Sequence, residues 1–133
     1  MKKGFTFIEI LVVVTIIGLL AGVGAISYSQ FTKSSRDARR KADVENLRAA
    51  LEMYRSNHAR SSYPDDINNL IGSYIDIIPK DPKGNDYTYS ASRDNPPVPC
   101  DDSVIGSECT SYALSISLEV GESYVGTPYG SGN

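Results

Sequence analysis

The sequence predicts an α+β fold in which a long N-terminal α-helix packs on a small antiparallel β-sheet head. Three patterns carry that expectation. They are an apolar run from Phe5 to Ile26, a stripe of apolar residues at helical spacing beyond it, and an alternating stretch from Tyr112 to Leu118.

The run FTFIEILVVVTIIGLLAGVGAI holds one ionisable residue, Glu9. Its length suits a helix crossing a hydrocarbon core, which takes roughly 20 residues. A helix that is apolar all round must be buried on every side, in lipid or in other protein. Past it, Val44, Leu47, Leu51 and Tyr54 recur at intervals of three, four and three, marking one dry face. No proline precedes Pro64. A single helix over about residues 5–57 is therefore expected, on the order of 80 Å long.

The texture changes after His58. Ser61-Ser62-Tyr63-Pro64-Asp65-Asp66 reads as a turn, with Asp65 or Asp66 capping a short helix that bears Ile67, Leu70, Ile71 and Tyr74. Proline and glycine punctuate a loop from Ile78 to Asp86, and Tyr87–Ser90 reads as a short strand. Tyr112, Leu114, Ile116 and Leu118 alternate with Ala113, Ser115 and Ser117, giving a strand with one wet and one dry face. Two or three such strands are marginal alone and need a helix across the dry side. The glycine-rich tail from Gly126 to Asn133 lacks periodicity and is expected to be loosely held.

Charge is unevenly placed. The formal net charge is -3, which argues against a surface that attracts nucleic acid throughout. Lys33, Arg36, Arg39, Arg40 and Lys41 nevertheless form a basic cluster. It is expected to lie on an exposed or intersubunit flank of the helix, facing acids of a neighbouring head. DNA capture by this cluster is a weaker reading, because no aromatic-interleaved groove accompanies it. Cys100 and Cys109 flank an eight-residue loop. A disulfide is the expectation for a head outside the cytoplasm, the alternatives being free thiols or a metal site that lacks nearby histidine.

Gly4-Phe5-Thr6-Phe7-Ile8-Glu9, behind a basic leader and ahead of the apolar run, resembles the N-terminal signature of type IV pilins and pseudopilins. The stretch IPKDPKGNDYTYS, from Ile78 to Ser90, is similar to a loop and strand common among pseudopilins and small pilins. The resemblance implies a leader at residues 1–4 and cleavage between Gly4 and Phe5 by a prepilin peptidase. It also implies N-methylation of Phe5, a filament-core helix at 5–26, its amphipathic continuation at 27–57 and a head at 58–133. In such a filament the Phe5 amine of one subunit meets the Glu9 carboxylate of another. A buried charge normally has a partner; the competing readings have Glu9 shallow enough to reach the headgroups, or bonded to its own N-terminus. Gly18, Gly22 and Gly24 are expected either to admit close helix packing or to let the helix loosen on assembly.

The expected partners are identical subunits, the peptidase, an assembly ATPase, a membrane platform protein and minor pilins. The expected course runs from the inner membrane as precursor to a surface filament. By count, the basic cluster would place the head on the cytoplasmic side; the resemblance and the cysteine pair place it outside. Lys2-Lys3 and Val23-Gly24-Ala25 also fit an ordinary signal peptide, but Glu9 does not suit its core. No nucleotide loop, nucleophile elbow or histidine partner suggests an enzyme. No cofactor is expected, although calcium on loop oxygens at Asp81, Asp86, Asp94, Asp101, Asp102 and Glu108 is a minor reading. The expected function is a type IV pilus subunit for adhesion, twitching motility or DNA uptake, favoured by the cysteine loop and tail as surface decoration. A major pseudopilin of a type II secretion system is the alternative.

Overall fold

The computed structural model describes residues 4–93 and 97–132. Met1, Lys2, Lys3 and the calcium candidate Asp94 lie outside the described residues. The first helix, α1, spans Phe7–Asn57 without a break. The chain divides into two compact units, Met1–Ser35 and Arg36–Asn133.

In the first unit the apolar side chains from Phe7 to Val23 are exposed. Its hydroxyls turn inward instead. Thr15 Oγ1 donates to Val12 O at 2.8 Å and Thr32 Oγ1 to Tyr28 O at 2.9 Å. Such bonds satisfy polar atoms that lipid would leave unpaired.

The second unit is the head. Its core joins Val44, Leu47, Ala50 and Leu51 of α1 to Tyr63, Leu70, Cys109, Tyr112, Leu114 and Ile116. Asp66 caps η1, a 3-10 turn over Ile67–Leu70, by accepting from Asn68 N, so the short helix is a single tight turn. The sheet is an antiparallel meander in the order β1-β2-β3-β4, with β1 at Thr88–Ser92, β2 at Ser111–Ile116, β3 at Tyr124–Thr127 and β4 at Gly130–Gly132. β2 sits between two neighbours, and its Tyr112, Leu114 and Ile116 face the core.

The tail differs from expectation. Instead of hanging loosely it supplies the end of β3 and all of β4, a hairpin in which Thr127 pairs with Gly130. Its glycines are chosen for space and backbone rather than for a dry face. Gly130 sits at φ 147 at the start of β4, just past the turn, where a side chain would be strained. At Gly126, a Cβ would stand 2.8 Å from Val44 Cγ1 and 2.9 Å from Arg48 Cδ, so β3 passes against α1. Arg48 Nε closes the seam by donating to Thr127 O at 3.1 Å. Gly126→Ala should therefore destabilise the head by about 1–3 kcal/mol through overpacking. Gly132→Ala, with nothing within 4 Å, is the control. Thermal unfolding of both reads the difference, and equal midpoints would refute the seam.

The basic cluster also differs from expectation. Asp37 and Arg40 extend the buried stripe of α1 toward its N-terminus, in the rhythm 37, 40, 44, 47, 51, with charged groups in place of aliphatics. Arg40 pairs with Asp81, with Asp37 Oδ1 at 2.5 Å and with Glu119 Oε1 at 3.1 Å. Arg36 grips both oxygens of Glu119 at 2.6 Å. The backbone amides of Glu119 and Val120 donate to Asp37 at 2.8–3.1 Å. Two of the five cations thus fasten the loops at Asp81 and Glu119 to α1 within one chain, rather than facing a neighbour. A wide apolar side chain at these positions would leave the loop carboxylates unmatched.

This clamp sets an acid limit. Arg40 holds the Asp81 carboxyl below the usual range, and Arg36 does the same to Glu119. Burial works against ionisation at Asp37, but the two amides and Arg40 outweigh it and lower its pKa as well. Groups depressed on folding stabilise the head above their unfolded values and lose that contribution as pH falls through the folded ones. Urea midpoints should therefore stay flat down to about pH 5 and fall progressively below about pH 4. A midpoint that rises with acid would contradict the clamp.

Candidate functional site

Gly4 and Phe5 stand just ahead of α1, in backbone without regular structure, and Phe5 is 83% exposed. The first helical bond runs from Ile10 N to Thr6 O at 3.4 Å. Thr6 therefore serves as the N-cap.

Glu9 completes a reciprocal cap. Its Oε2 accepts from Thr6 N and from Thr6 Oγ1, both at 2.8 Å, while Glu9 N donates to Thr6 Oγ1 at 3.4 Å. This is the threonine-to-glutamate capping box, which satisfies helix-end donors otherwise left open. A carboxylate at a helix N-terminus also meets the positive end of the helix dipole. In the single chain, then, Glu9 is bonded to its own N-terminal turn. The sequence alone left this arrangement as one of three readings, beside the intersubunit pair and a headgroup contact, and Thr6 was not singled out as its partner.

Gly18, Gly22 and Gly24 lie in unbroken helix, and a Cβ built on any of them would meet nothing within 4 Å. Their missing side chains thus relieve no crowding among the described residues. The described residues contain one helix long and apolar enough to cross a membrane, α1.

In the head, Cys100 and Cys109 form a disulfide with Cα atoms 5.1 Å apart. Cys109 is fully buried, and its carbonyl accepts from Tyr63 N at 2.8 Å, so the bridge fastens the loop into the core. Tyr63 also donates to Glu52 Oε1 at 2.8 Å and packs edge-on against Tyr112. The turn-like sequence around Tyr63 gave no hint of this burial.

The calcium candidates scatter. Asp81 is taken by Arg40, Asp86 pairs with Lys80 at 3.1 Å, and Glu108 accepts from Gly106 N at 3.0 Å. Asp65, Asp101 and Asp102 do converge, with ligand atoms within 4.8 Å, but Asp102 already accepts from Tyr54 at 2.5 Å.

The N-terminal geometry has counterparts in known proteins. Residues 1–25 match the prokaryotic N-terminal methylation motif. A type II secretion system core protein G of Vibrio cholerae is 30% identical over 107 residues, covering 70% of this chain and 73% of that protein. The chain belongs to the type IV pilin and pseudopilin family. A core protein G of Pseudomonas aeruginosa is 31% identical over 105 residues, covering 68% of this chain and 74% of its own length. A fimbrial protein of Pseudomonas aeruginosa is 39% identical over 51 residues, covering 38% of this chain and 33% of that protein. No solved structure matches the chain. As a pilin-family chain it is a structural subunit, with a methylation motif and an apolar helix that suit a membrane-anchored precursor.

Proposed function

We propose that this chain is the major pseudopilin of a type II secretion system, a subunit trimmed after Gly4 and polymerised through α1 into a short periplasmic filament. One observation carries the choice over a surface pilus. The likeness to core protein G extends over 70% of the chain, more than the 51 residues of α1 can account for, so it includes part of the head. The likeness to a fimbrial protein spans only 51 residues. The features read from sequence as pilus decoration also lose their weight. The cysteine loop is stapled into the core and the tail is a sheet hairpin.

In this reading a prepilin peptidase cuts the Gly4–Phe5 bond and the new Phe5 amine is methylated. The exchange of lipid for other helices changes little in hydrophobic terms, so close packing and the Glu9 carboxylate set specificity. An assembly ATPase and a membrane platform protein drive extrusion, and minor pseudopilins accompany the tip. Deleting the gene is expected to abolish export of secreted enzymes while long surface filaments remain. Loss of the surface filaments with secretion intact would overturn the proposal and favour a pilus.

A further inference from the structure

The disulfide-closed loop ends in two aliphatic side chains that the head does not use. Ile105 is 83% exposed and Val104 49%. The loop beneath them is rigidly built. Beyond the disulfide, Asp101 N donates to Ser107 O at 2.8 Å, Ser103 N to Asp101 Oδ1 at 2.9 Å and Ser107 N to Val104 O at 3.1 Å. An apolar tip held this way loses little freedom on docking, which is the advantage of a preorganised contact. Its surroundings are acidic. Asp65, Asp101, Asp102 and Glu108 stand against two arginines, Arg60 and Arg93, which donate to the loop carbonyls of Asp102 and Gly106 at 2.7 Å.

A surface of matching character lies on α1. Ala38, Ala42, Asn46 and Ala49 are exposed on the side of the helix away from Val44, Leu47 and Leu51. Arg39 is exposed beside them, and no ion pair engages it among the described residues. The loop is tied to the far end of the head helix, through Tyr54 and Arg60. Some 15 residues of helix, about 20 Å, separate that end from Arg39. Two surfaces separated by that length of helix do not meet within one chain. Between chains they make a heterologous contact that need not close, the kind that builds an open filament.

We infer that Val104 and Ile105 of one copy seat on the Ala38–Ala42–Asn46 face of a second copy, with the carboxylates around the loop turned toward Arg39. The inference rests on the polymer reading above and names the head contact within it. Alanines leave room for a branched aliphatic, and Arg39 offers the acidic rim a cation, while Glu45 at the edge of this face is held by Arg48 and Tyr124.

The test uses the full chain expressed with its assembly machinery, with Ile105 replaced by the photo-crosslinker p-benzoylphenylalanine. Illumination of polymer should join one chain to another, and peptide mapping should place the link within residues 38–46. Polymer that forms with links elsewhere, or with none, overturns this contact and leaves the pseudopilin reading standing. Absence of any polymer from the unmodified chain overturns both. Ile105→Ser and Arg39→Glu should each reduce the polymer fraction about tenfold, the scale expected on exposing one large aliphatic or opposing the charge. The head's melting temperature should not change. Undiminished polymer in both variants also refutes the contact.

Discussion

Arg40→Met is expected to lower the unfolding free energy of the head by about 3 kcal/mol. The side chain is 4% exposed and serves Asp37, Asp81 and Glu119 at once. Removing it leaves three carboxylates facing one another with one cation fewer, and repulsion and lost hydrogen bonds act together. The effect sits at the low end for a broken buried pair. A groove of about 520 Å³ beside Arg40, lined by Asp81, Lys83 and Glu119, lets water relieve part of the charge. Lys83→Met is the comparison, since Lys83 is half exposed and its pairing with Glu119 at 3.1 Å is replaceable by solvent; it should cost less than about 1 kcal/mol. Urea titration of both variants measures the gap. Equal losses would show that Arg40 is no keystone. The acid sensitivity of the head should also lessen in Arg40→Met, because Asp81 loses the group that chiefly depresses it, while Arg36 still holds Glu119 down and the two backbone amides still act on Asp37.

Glu9→Ala should leave the chain cleaved and membrane-bound but reduce sedimentable polymer by tenfold or more, as an assembly step that selects register through one charge would require. The capping box makes a finer test available. A glutamine keeps a side-chain oxygen for Thr6 N but carries no charge, so Glu9→Gln separates capping from pairing. If the carboxylate meets the Phe5 amine of a neighbour, Gln should fail as Ala does. Recovery of polymer with Gln would mean that the cap alone matters, and the intersubunit pair would have to be abandoned. Quantitative immunoblots of pelleted polymer against total processed chain read the outcome.

What was legible in the sequence follows from the range of each signal. Helix α1 announces itself through local periodicity, first an all-apolar run and then the stripe at Val44, Leu47 and Leu51. β2 does the same through the alternation of Tyr112, Leu114 and Ile116. The β3–β4 hairpin carries no such mark, because Gly126 is placed by its distance to Val44 rather than by a pattern along its own strand. The clamp was hidden for another reason. Arg40 finds Asp81 at a separation of 41 residues and Arg36 finds Glu119 at 83. A run of cations reads as a solvated face unless those distant carboxylates are known to return to it. At the candidate site, Glu9 stood out as the one charge in an apolar run and the Gly4–Phe5 bond was suggested by the family resemblance alone, whereas the role of Thr6 required the geometry of the first turn.

The burial of Cys109 has a consequence in time rather than space. Closing the bridge to Cys100 contributes about 3 kcal/mol by shortening the freedom of the unfolded chain. That is a sizeable fraction of the 5–15 kcal/mol that holds a typical domain together. A newly made head still in reducing surroundings lacks this contribution, since its thiols stay open. Full consolidation therefore waits for oxidation, and in the pseudopilin reading proposed above that step follows export of the head.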